Sequence, residues 1–80
     1  MSNLSCRISE GQFSCEKAVS FADSEGRGVS FFCPNELVGA NSVKVRVIDR
    51  CGGLCVVHLP REGLESGKRY ATVRASQITS

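Results

Sequence analysis

The chain has 80 residues, a net charge of +2, 41% hydrophobic and 22% charged residues. This balance excludes a disordered chain, and the length allows one domain, which buries roughly 60% of its unfolded surface. No apolar run approaches the ~20 residues that span a bilayer, and "MSNLSCRISEGQFSCEK" lacks the basic-then-apolar order of a secretory signal. We therefore expect a cytoplasmic protein that does not engage membranes, whose odd count of five cysteines fits free thiols better than a disulfide framework.

In chain order, residues 1–16 are the least decided. "CRISEGQFSCE" reads as an irregular arm, a short helix, or an extra hairpin around Glu10-Gly11. "KAVSFA", "DSEGRG" and "VSFFC" up to Pro34 then read as strand, turn and strand, a hairpin over about 17–34. "PNELVGAN" follows as a polar connection with one short helical turn. The clearest signal is "SVKVRVI", where Val43, Val45 and Val47 alternate with Lys44 and Arg46, the period of a half-buried strand. "DRCGG" supplies turn residues, and "LCVVHL" runs apolar to Pro60, completing a second hairpin over about 42–60. "PREGLESGK" is a second polar connection, again with room for a helical turn, and "RYATVRA" forms a last strand over about 69–75.

Shifted by 26 residues, "FADSEGRGVSFFCPNE" aligns with "VIDRCGGLCVVHLPRE", matching Asp23 with Asp49, Gly26 with Gly52, Pro34 with Pro60 and Glu36 with Glu62. One hairpin motif is used twice. The expected fold is all-β: residues 1–80 as a single small five- to six-stranded antiparallel barrel, SH3-like or OB-like, built from two similar hairpins. Its expected core is Val19, Phe21, Val29, Phe31, Val43, Val45, Val47, Val57, Leu59, Ala71 and Val73. That core is small and lacks Trp, so a homodimer pairing edge strands would add burial.

"CGGLC" decides the cysteine chemistry. A two-residue Gly52-Gly53 turn pairs Cys51 with Leu54 and sends Cys51 and Cys55 to opposite faces. A three-residue loop would instead place both thiols on one face, about 4.5–5.5 Å apart at Cβ. A structural zinc site would draw on Cys51, Cys55, Cys6 and Cys15, but only the first two have knuckle spacing. The favoured turn predicts no metal, and nothing in the chain calls for a cofactor. With a lone histidine, His58, at a strand end, no phosphate loop and no paired carboxylates in context, no enzymatic activity is expected.

Binding is the remaining class. Residues 1–40 carry three basic and five acidic side chains, and residues 41–80 carry seven basic and three acidic. Lys44 and Arg46 share a face by parity, joined by Arg50, Lys68, Arg69 and Arg74, with Tyr70 and Phe32 as aromatic surfaces. Phe32 has the parity of Ser30, opposite to Val29 and Phe31, which points it outward as an apolar contact. We expect a protein-interaction module first, because it demands the least special chemistry. A single-stranded nucleic-acid module using the basic face is the alternative, and a small structural zinc-binding protein the second.

Overall fold

The computed structural model describes residues 2–64 and 67–79. Among them the protein is all-β, with strands β1 (Ser2–Ser5), β2 (Arg7–Glu10), β3 (Glu16–Ala22), β4 (Gly28–Pro34), β5 (Ser42–Cys51), β6 (Leu54–His58), β7 (Tyr70–Arg74) and β8 (Ile78–Thr79). No helix of the described residues is long and apolar enough to cross a membrane.

The strands form two antiparallel sheets, one of five strands in the order β7-β6-β5-β1-β8 and one of three in the order β2-β3-β4. Only Cys6 separates β1 from β2, so residues 2–10 act as one bent strand that passes from the large sheet to the small one. The Cys6 N–H donates to the Asn41 carbonyl at 3.0 Å and pins the bend. The described part of this segment, residues 2–16, is thus neither arm nor helix: β2 pairs with β3 itself, Arg7 opposite Ser20 and Glu10 opposite Lys17, across the Gly11–Cys15 loop.

On the far side, β4 and β7 border one another without a ladder. Single hydrogen bonds connect this seam: Ser24 N–H to the Thr72 carbonyl (2.8 Å) and Leu64 N–H to the Ser30 carbonyl (2.8 Å). Gln77 adds a cross-link between sheets, its Oε1 accepting from the Arg74 N–H at 2.8 Å and its Nε2 donating to the Ala22 carbonyl at 2.9 Å.

Side-chain alternation builds the core. Leu4, Val19, Phe21, Phe31, Cys33, Val43, Val45, Cys55, Val57, Leu59 and Val73 are buried. Val29, Val47 and Ala71, expected among them, pack half-buried against this cluster. Leu4, Cys33 and Cys55 were not expected there. The two thiols behave as small hydrophobes on inward positions of β4 and β6.

At an offset of 26, inward positions of the two hairpins coincide: Val19 with Val45, Phe31 with Val57, Cys33 with Leu59. The turns differ. The first hairpin closes over Asp23–Arg27, where the Asp23 carboxylate accepts from the Glu25 and Arg27 N–H groups, both at 2.9 Å. The second closes on Gly52-Gly53 alone, with φ of 56° and 83°, the left-handed pair of a tight hairpin turn. Asp49, the counterpart of Asp23, lies inside β5 next to a register shift between Val47 and Asp49, which leaves Ile48 as the extra residue of a β-bulge. The likeness therefore resides in the strands rather than the turns. A 3-10 turn at Asn35–Leu37 follows β4 as expected. The second lies at Ala75–Gln77, after β7, rather than in the described part of 60–69.

Candidate binding face

The Gly52-Gly53 turn pairs Cys51 with Leu54, so Cys51 is exposed on the outer face while Cys55 is 1% exposed in the core. All five cysteines are free. Cys15 is exposed in the β2–β3 loop and Cys6 sits half-buried at the bend. Burial, and next the neighbouring Cys33 thiol, push the Cys6 thiol up from the ordinary 9.0 to about 11. Burial likewise raises Cys33, with Arg61 opposing the shift. Among the described residues no group of three or more His, Cys, Asp or Glu side chains is gathered that could hold a metal ion.

The outer face of the large sheet gathers a different set. Register places Arg46 (β5), His58 (β6) and Tyr70 (β7) in one row. The next row holds Asp49, Val56 and Thr72, and the last Cys51, Leu54 and Arg74. Neighbouring strands stand about 4.8 Å apart, so each row spans roughly 10 Å. The His58 and Tyr70 rings touch at 5.1 Å between centroids, tilted by 52°. Leu54 is 41% and Tyr70 57% exposed, with Val56 half-buried between their rows. Lys44 continues the face beyond Arg46, opposite Asn3 of β1.

The strip is thus apolar along Leu54, Val56 and Tyr70, and basic at its ends. Among the described residues the ion pairs are Lys17–Glu10 and Arg27–Glu25, both away from this face. Lys44, Arg46 and Arg74 are in no ion pair among the described residues, although Asp49 lies in the middle row of the same face.

At the end of the β5–β6 ladder the strands part. Arg46 opposite His58 is the last pair, and the chain leaves through Leu59 and Pro60. A cavity of about 230 Å³ opens there, lined by Leu37, Lys44, Val45, Arg46, His58, Leu59 and Pro60.

The other expected contact residues fall elsewhere. Arg50 lies across the bulge, paired with Cys55, so the register shift turns it off the face that Lys44 and Arg46 share. The Arg69 Nη2 donates to the Pro60 carbonyl at 3.0 Å and braces the segment after β6. Phe32 does point outward, beside Ala18 of β3, but it is half-buried: Pro60, Arg61, Glu62, Leu64 and Arg69 share its cavity. Lys68 borders the β4–β7 seam with Asp23, Glu25 and Arg27. Sequence reasoning left out Leu54, Val56 and His58 as face residues. Their alternation with the inward Cys55 and Val57 along β6 is the signal that would have found them.

Comparisons with family models, curated proteins and solved structures find no match. Function has to be read from the face itself.

Proposed function

We propose that the protein is a non-enzymatic, SH3-like barrel module that binds an acidic segment of a protein partner on the outer face of its five-stranded sheet. One observation carries this reading: an exposed apolar strip, Leu54–Val56–Tyr70, bracketed by Lys44 and Arg46 at one end and Arg74 at the other, with no ion pair to any of the three among the described residues. Protein interfaces combine an apolar, aromatic centre with a polar rim, and Arg and Tyr are enriched in them. Unpaired cations at the rim select against basic partners and speed encounter with acidic ones.

The bent β1–β2 strand shared by both sheets, and the seam joined by single hydrogen bonds, support the barrel assignment. The test is a titration followed by NMR with a blocked peptide of two leucines flanked by acidic residues. Saturable shifts at Leu54, Val56 and Tyr70, abolished by Lys44→Glu with Arg46→Glu, are the expected result. Shifts scattered over all basic residues would refute it.

A second reading has one specific observation: the His58–Tyr70 ring pair beside Arg46, a combination that accepts a nucleobase and its phosphate. The aliphatic middle of the strip favours a protein side chain over stacked bases. Tight binding of a single-stranded oligonucleotide, falling steeply with salt, would reverse that order.

A further inference from the structure

We infer that the outer edge of β7 is a strand-addition site, where a short, uncharged, extended segment of a partner protein pairs with the Tyr70 and Thr72 backbone and extends the five-stranded sheet. The site is separate from the basic face and does not depend on the acidic-segment reading.

Hydrogen-bond alternation fixes which groups of β7 face outward. The Leu59 N–H donates to the Arg69 carbonyl at 2.7 Å and the Ala75 N–H to the Gly53 carbonyl at 2.8 Å, so the odd-numbered residues of β7 bond to β6. The backbones of Tyr70, Thr72 and Arg74 therefore point away from the sheet. The Thr72 carbonyl accepts there from the Ser24 N–H, and the Arg74 N–H donates to Gln77. The Tyr70 N–H and carbonyl and the Thr72 N–H have no partner among the described residues. β7 contains no proline or lysine, and its register on β6 has no bulge, so nothing in the strand blocks a further ladder.

Space lies beside this edge. A cavity of about 850 Å³ is lined by Tyr70, Ala71 and Thr72 on one side and by Gly28, Val29 and Ser30 of β4 on the other. β4 is itself an edge strand. Its odd residues bond to β3, as the flanking Asp23–Arg27 and Cys15–Asn35 bonds show, so the Gly28 and Ser30 backbones face the same seam. Donors and acceptors that recur every second residue match another extended backbone rather than a compact ligand. Asp23 and Glu25 against Arg27 and Lys68 leave the lining with no net charge, and Val29, Val56 and Ala71 add apolar contact. The segment that fits is therefore uncharged and rich in β-branched side chains.

The test titrates the full chain with a blocked short peptide of alternating threonine and valine and follows backbone amide protons by NMR. Tyr70 and Thr72 should shift downfield and saturate, several-fold further than Ala71 and Val73, which are already bonded to β6. The same peptide with its central amides N-methylated should bind roughly tenfold more weakly or worse, the size of a lost hydrogen bond. Thr72→Pro removes an outward N–H without touching the β6 ladder and should abolish binding; the alternation in the unsubstituted chain decides the matter should that variant not fold. Lys44→Glu with Arg46→Glu should leave binding unchanged. Equal binding of the methylated peptide, or shifts without the even–odd alternation, would overturn the site. Shifts at Tyr70 and Thr72 that grow with protein concentration alone would overturn it in favour of a second copy of this chain. Binding of the acidic leucine peptide at Leu54 and Val56 without neutral-peptide binding at β7 would overturn the site and leave the acidic-segment reading standing. The opposite pattern would sustain the site and remove that reading.

Discussion

Thiol labelling of the folded protein separates the five cysteines by the turn that "CGGLC" forms. Cys15 and Cys51 are exposed and should react in one fast phase with a disulfide reagent at pH 8. Cys6 is half-buried, with its thiol raised to about 11 from the ordinary 9.0. The reacting species is the thiolate, so two units cut its population roughly 100-fold relative to an ordinary thiol, before any steric hindrance. Cys33 and Cys55, each 1% exposed, react only when the structure opens. At about 0.05–0.15 kcal/mol per residue, the global stability of such a chain slows them by roughly a thousandfold or more. The expected record is two fast equivalents, one slow, and two that appear only with denaturant. Reagent absorbance gives the phases, and mass-spectrometric mapping assigns them. Labelling of Cys55 together with Cys51 would refute the two-residue turn, because only a longer loop exposes both on one face. Protection of Cys51 that a chelator removes would revive the zinc reading.

Stability should also fall on the alkaline side. Cys6 and Cys33 have folded-state values raised above those of the unfolded chain, so their contribution is complete below pH 9 and is lost as pH rises beyond it, for Cys6 towards about 11. The urea midpoint should drop over that window, and Cys6→Ala should flatten the slope; an unchanged slope would show that these thiols do not couple to folding. In the β5–β6 turn, Gly53→Ala meets no neighbouring atom but must hold φ near +83°, so it should cost about 1–2 kcal/mol. Gly52→Asn, at φ +56°, should be neutral or stabilising, and denaturant unfolding of the two variants compares them directly. Asp23→Ala removes two hydrogen bonds that order the β3–β4 loop and should cost about 1–2 kcal/mol. Amide exchange should accelerate at Glu25 and Arg27, and at Ser24 where the loop joins β7; unchanged protection there would refute that role.

What the sequence determined by itself is what depends on alternation and local turn chemistry. Val43, Val45 and Val47 against Lys44 and Arg46 settle two faces of β5 without reference to any partner, because a pleated strand sends successive side chains to opposite sides. The same parity places Tyr70 and Thr72 opposite Ala71 and Val73, and Gly52-Gly53 separates Cys51 from Cys55. Tertiary structure decided everything that depends on pairing between distant segments. The four-residue β1 and two-residue β8 are too short to show a period, and they exist because β1 finds β5 on one side and β8 on the other. Cys33 and Cys55 are core residues only because two sheets face each other across them. The Ile48 bulge, which turns Arg50 away from Arg46, arises from fitting β5 to β6 rather than from a glycine or proline in the chain. Phe32 points outward by parity, yet it lines a cavity together with residues of the segment from Pro60 to Leu64, nearly thirty residues distant, which no local pattern encodes.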